Sequence, residues 1–330
     1  MRWIPAAFVL VFAACHQAVW AMSEEQETTE PFDQAEHAVR MVSVTRQLLD
    51  SGHPQQQAAG LLLAELSNSW AWWDQEPILD ETESVALLHD LIRRADSASN
   101  RALLAQVCAV LDLRADCRRQ GLDQAIAEQD GAELIARLDL TDNDEAERAR
   151  ELIIASRALN ERYADFALIL LDAMETHGDM EPTELMSAWF YSMNQVSPMS
   201  LMADQCRKPA IDDPALDRAC ERMLQALMEG SRSMLFNMLG SRLMAKRAEA
   251  RGEAAAVDRH EQWRARYRDW MSCASGNGAN FWETADAQLL RTFLERFQYH
   301  GEASAHAFVA ARAGVDCGLP EPSPFSTAAR

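Results

Sequence analysis

The sequence predicts an all-α protein of stacked helical hairpins braced by disulfides. Three observations lead there. Apolar residues recur at helical spacing almost throughout, and no window alternates with period two. Glycine and proline number only 13 and 11, few for an all-β chain with frequent turns. Beyond Cys15 stand six cysteines, Cys108, Cys117, Cys206, Cys220, Cys273 and Cys317, an even set that suits an exported, oxidised chain. We expect about 13 to 15 helices joined by short loops.

Residues 1–21 read as a bacterial secretion signal. Arg2 gives the positive start, and Ile4 to Ala14 an apolar run shorter than the roughly 20 residues of a membrane span. The chain offers two exits. Val19-Trp20-Ala21 places small residues before a cut ahead of Met22, whereas Phe12-Ala13-Ala14-Cys15 resembles a lipoprotein signal in which Cys15 would carry the lipid. No later segment is apolar for long enough to span a bilayer, so no transmembrane segment is expected. A disordered acidic leader (22–31) is expected next, then a helical domain (32–317), with a division into two halves near 180 left open. A disordered, proline-bearing tail (318–330) is expected after it.

Within the domain, the run from Leu61 to Trp70 reads as one helix, Val85 to Ile92 as another and Leu103 to Leu111 as a third. Leu152 to Leu171 supply one or two more. Prolines sit at starts, as in Gly52-His53-Pro54 and Asp213-Pro214, where a cap precedes proline in the first turn. Thr29-Glu30-Pro31, Glu181-Pro182-Thr183 and Ser197-Pro198 share the same pattern.

One pattern occurs twice. Cys108-x8-Cys117 leads through a helix and an Asp130-Gly131 turn to Leu134–Leu138, and Cys206-x13-Cys220 leads through a helix and a Glu229-Gly230 turn to Met234–Met238. In each, the cysteines bracket a turn, so a bridge would close a helical hairpin. Sequential pairing is therefore expected: 108–117, 206–220 and 273–317, the last enclosing two helices near 280–298 and 302–313. Closing a loop of 10 to 15 residues contributes roughly 3 kcal/mol in the chain-entropy model. Such hairpins make the chain resemble the broad class of tetratricopeptide-like helical repeat proteins (an α-solenoid) over about 32–313. The resemblance is one of architecture. The regular period of about 34 residues and its consensus positions are missing, so no ligand-binding residue carries over.

The net charge of −20, with only Lys208 and Lys246 as lysines, opposes phosphate backbones, and nucleic acid is not an expected partner. Catalytic motifs are missing: there is no G-x-S-x-G, no H-E-x-x-H and no Rossmann opening. No catalytic residue, cofactor or metal is therefore assigned.

What remains are candidate surfaces. Trp70 and Trp73 share a helix face and would fill a seam between hairpins or, exposed, grip a partner or stack on sugars. Eleven of the 15 methionines fall between Met174 and Met244, with Met199 and Met202 closest together. They read first as core, then as an adaptable binding groove, then as soft ligands for copper. His300 and His306 read as surface histidines flanking a turn. Asp139, Asp142, Asp144 and Glu145 suggest a carboxylate-rich helix start rather than a calcium loop. Arg242 to Arg268, with eight basic residues against four acidic, reads as one long solvated helix.

The function expected is a non-enzymatic, exported scaffold that binds a protein or peptide partner in the cell envelope. The alternatives are an envelope enzyme acting on cell-wall glycan through dispersed carboxylates, and a small-ligand or copper carrier using the methionine-rich half.

Overall fold

The computed structural model describes residues 34–67, 76–129, 134–141, 145–155, 163–177, 205–276 and 285–320. Fourteen helices occur among them, and no strand. They are α1 (Gln34–Asp50), α2 (Pro54–Ser67), α3 (Glu81–Arg94), α4 (Ala98–Val110), α5 (Arg114–Arg119), α6 (Leu122–Gln129) and α7 (Leu134–Asp139). Next come α8 (Glu145–Ala155), α9 (Tyr163–His177), α10 (Pro214–Gly230), α11 (Met234–Ala250), α12 (Ala254–Gly276), α13 (Ala287–His300) and α14 (Glu302–Arg312). The all-helical expectation holds. Residues Met1–His37 and Ala38–Arg330 form separate units, and the second holds most of α1 and all of α2 to α14.

Helix starts obey local chemistry. Asp80 and Glu83 form a reciprocal capping box at α3, each side chain accepting the other's backbone N–H. Asp213 accepts from Ala215 and Leu216 ahead of Pro214, and Asp286 accepts from Leu289 at the start of α13. Pro54 opens α2, as its spacing predicts.

Consecutive helices pair as hairpins (α10 with α11, α11 with α12, α13 with α14), and other pairings reach across the sequence: α2 with α9, α8 with α10, α9 with α13. One core cluster consequently runs from Met41 and Leu48 through Leu62, Leu104 and Leu170 to Phe293 and Val309. A smaller one gathers Met228, Met234, Trp263, Tyr267, Trp270 and Ala274. Glycines let helices approach closely at Gly60 and Gly240. A Cβ on Gly60 would stand 2.9 Å from Leu48 Cβ and Leu49 N, and one on Gly240 would stand 2.8 Å from the Leu224 carbonyl.

The cysteines pair in sequence order: Cys108–Cys117, Cys206–Cys220 and Cys273–Cys317, with Cα atoms 6.3, 5.3 and 5.9 Å apart. The last pair encloses α13 and α14, as expected. The two similar stretches diverge in detail. Gly121, at φ +85°, divides the first into α5 and α6, whereas Cys220 lies inside the unbroken α10. The basic stretch from Arg242 to Arg268 corrects the reading of one solvated helix. Gly252, at φ +74°, breaks it into α11 and α12, and Arg247, His260, Trp263 and Tyr267 are buried.

Candidate functional site

Among the described residues, perturbed polar groups gather where the α10–α11 turn touches the α13–α14 turn. Gly301 makes the contact with φ +89°, and a Cβ there would lie 3.3 Å from the Arg232 carbonyl. The Glu302 N–H donates to that same carbonyl at 2.7 Å, and the Arg232 guanidinium donates to the Gln298 carbonyl. Ser233 begins α11 without capping it through its own side chain. Glu302 supplies the cap instead, its Oε2 accepting from Met234 N–H at 2.7 Å and from the Ser233 hydroxyl at 3.2 Å. A carboxylate thus meets the positive end of a helix to which it does not belong.

The surrounding side chains complete a polar knot. Asn237 donates to the carbonyls of Leu227, Met228 and Ser231 and accepts from the Tyr267 hydroxyl at 3.1 Å. The end of α10 is thereby pinned to α11 and α12. His306, one turn past Glu302, sets its ring edge-on to Phe293, with Nε2 3.9 Å from Glu302 Oε1. Burial pushes the Glu302 carboxyl up, against the pull of the Met234 N–H and the Ser233 hydroxyl. It holds His306 down at about 4, so the imidazole is neutral at pH 7 and its approach to Glu302 is not an ion pair. Burial and the Glu302 charge both push the Tyr267 phenol up. Solvent sees other groups at this junction. Tyr299, beside Gln298, is 68% exposed, and Leu235, beside Met234, is 48% exposed.

Two other clusters, among several on the described residues, carry titratable groups into the interior. Ser241 Oγ stands 3.2 Å from His260 Nδ1, a distance that would suit a nucleophile and its base. Both residues are buried, however, and Arg264 donates to the carbonyl and hydroxyl of Ser241. Burial, with Arg264 and Arg259, holds His260 at about 4, and the Ser241–His260 and Arg264–Ser241 bonds join α11 to α12. Arg247, 1% exposed, donates to the carbonyls of Cys206, Lys208 and Asp217 and to the Asp217 carboxylate. Burial pushes Asp217 up, but the Ala210 N–H, Arg247 and Arg251 outweigh it and hold the carboxyl below the usual range. No group of three or more His, Cys, Asp or Glu able to hold a metal occurs among the described residues.

No protein-family model, curated protein or solved structure matches this chain.

Of the surfaces expected from sequence, Trp70, Trp73, Met199, Met202 and Cys15 lie outside the described residues, as do Asp142 and Asp144. Met223, Met228 and Met234 are buried, while Met238 and Met244 pack against the core clusters, so this part of the methionine-rich stretch is packing material. Asp139 is buried, with its carbonyl taken by Arg114. His300 is exposed, as expected. His306 corrects the surface reading: its side chain is 15% exposed because α14 turns it against Phe293. Sequence reasoning missed Asn237 and Tyr267, and it considered Glu302 only as a metal ligand beside the histidines, not as a helix cap. The Glu302-x-x-x-His306 spacing puts both groups on one helix face, and that was the signal available.

Proposed function

We propose that this chain is an exported, non-enzymatic helical scaffold that binds a protein or peptide partner in the bacterial cell envelope. The observation that carries the reading is the turn junction. It holds Leu235 and Tyr299 out to solvent on backbone fixed by Glu302, Asn237 and Arg232. An exposed aromatic and an exposed aliphatic side chain on backbone that is already fixed are the kinds of group that interfaces use, because little conformational freedom is lost on binding. The polar groups beneath favour binding over chemistry, since Glu302 is engaged as a helix cap and Asn237 as a carbonyl clamp. Three disulfide-distance cysteine pairs favour an oxidising compartment.

The test couples capture to a variant. Purified full chain is crosslinked in envelope extract beside a Leu235→Ser/Tyr299→Ser double variant, and each recovered partner is re-measured with purified components. The reading expects a reproducible partner whose affinity falls at least about tenfold in the variant, with thermal unfolding unchanged. Recovery of no partner, together with turnover of a cell-wall fraction, would overturn it. Export is checked separately by fusing residues 1–31 to a reporter that is active only in an oxidising compartment.

A further inference from the structure

The three bridges differ in how deeply their cysteines are buried. Cys108, Cys117, Cys206 and Cys220 are all 0% exposed, so none of them meets solvent in the folded chain. Cys273 and Cys317 are only half-buried, and Ser272, Asp316 and Gly318 beside them are exposed. Exchange at a disulfide requires a thiolate to reach one of its sulfurs, so access ranks the bridges.

Cys317 also lies on a distinctive segment. After α14 the chain reverses through Gly314, at φ +80°, with Val315 N–H donating to the Ala310 carbonyl at 2.9 Å. A strap then crosses to α12. There Cys317 packs on the cluster containing Trp263, Tyr267 and Trp270, and Trp270 Nε1–H donates to the Gly318 carbonyl at 3.2 Å. The aromatic rings form a ladder along α12, with centroids 4.9 Å apart for Trp263–Tyr267 and 5.9 Å for Tyr267–Trp270. The Cys273–Cys317 bond therefore fastens a strap onto an aromatic ladder, whereas the other two bridges each fasten a hairpin inside the core.

We propose that Cys273–Cys317 is a thiol–disulfide exchange site through which a dithiol releases the strap from the ladder while the other two bridges stay closed. One thiolate of the dithiol attacks one cysteine sulfur. The protein S–S bond breaks, a mixed disulfide forms, and the other cysteine leaves as a thiolate that takes up a proton. The second thiol of the reagent then attacks the mixed disulfide and releases the remaining cysteine. The dithiol departs as a disulfide, and its two electrons stay with the protein as two thiols. This proposal stands apart from the binding reading above.

The experiment uses the full oxidised chain without denaturant. Dithiothreitol is titrated at neutral pH, thiols are alkylated and mapped by mass spectrometry, and backbone hydrogen exchange is followed in parallel. Cys273 and Cys317 are expected to label at a dithiothreitol concentration about tenfold or more below that needed for the other four. The amides of 315–318 should exchange faster at the same concentration. Trp270→Phe, which removes the donor to Gly318, should speed labelling of Cys273 and Cys317 with circular dichroism unchanged. Three results would overturn the proposal: all bridges opening together, labelling of Cys273 and Cys317 without faster exchange at 315–318, or a Trp270→Phe rate equal to that of the parent.

Discussion

In the hairpin closed by Cys108–Cys117, the clamping arginines sit on the short helix α5. Arg114 reaches the Asp139 carbonyl at 3.1 Å and Arg118 the Leu140 carbonyl at 2.6 Å, both at the end of α7, and both arginines are partly exposed. In the hairpin closed by Cys206–Cys220, the clamp is Arg247, which comes from the next helix and is buried among carbonyls of the loop that the bridge closes. Both regions solve one problem, giving guanidinium donors to backbone carbonyls in loops and near helix ends. They differ in dielectric. Arg114 and Arg118 keep some water, so each bond there is replaceable, whereas the Arg247 bonds have no substitute if the side chain is lost.

Substitutions can widen or collapse that contrast. Arg247→Ala should cost the most, about 3–4 kcal/mol by denaturant unfolding, because it strands the loop carbonyls and unbalances Asp217. A loss below about 1 kcal/mol would place the two clamps on a par and break the comparison. Next comes a pH effect in the same region. His260 is held at about 4 against an ordinary 6.5, so between those values the unfolded chain binds a proton that the folded chain refuses. Stability from this group is complete above pH 6.5 and falls as pH drops toward 4, by about 3 kcal/mol in all. His306 contributes in the same direction. Glu302, whose carboxyl is raised, opposes both, since its share is lost as pH rises. His260→Gln should therefore flatten the stability profile between pH 4 and 6.5 by roughly one proton, read from unfolding at several pH values.

Smaller effects sharpen the picture. Gly240→Ala should cost about 2 kcal/mol, because the new methyl meets the Leu224 carbonyl and Met228 N rather than a side chain that could swing away. Gly60→Ala, which would crowd Leu48 Cβ and Leu49 N, makes a matched measurement between α1 and α2. Similar losses would show that both ends of the molecule are equally close-packed. Arg118→Ala should be mildest, about 1 kcal/mol, since water can take over at Leu140 and Glu147 is partly exposed.

What could be read from the chain was local. Asp213-Pro214 announced α10, Pro54 announced α2, and the short spacings within Cys108–Cys117 and Cys206–Cys220 limited those pairs to neighbouring segments. What could not be read depends on partners distant in sequence. Arg247 looks like any arginine on a charged helix, and only the fold brings it the carbonyls of Cys206 and Lys208. His260 gives no sign of burial because Ser241 lies across a turn set by Gly252. Glu302 caps a helix that starts 68 residues earlier, a relation with no sequence signature. The binding candidates named from sequence, Trp70 and Met199 among them, draw on residue type and spacing, whereas Leu235 and Tyr299 stand out only once exposure is known.

The order of the bridges bears on how the chain is made. The three loops succeed one another without interleaving, their cysteines separated by 9, 14 and 44 residues. A chain emerging N-terminus first can close each loop before the next pair has appeared. Among the 15 ways of pairing six cysteines, this one asks least of a shuffling step, because each thiol's nearest unpaired neighbour along the chain is its native partner. The chain can therefore be oxidised in the order in which it is delivered.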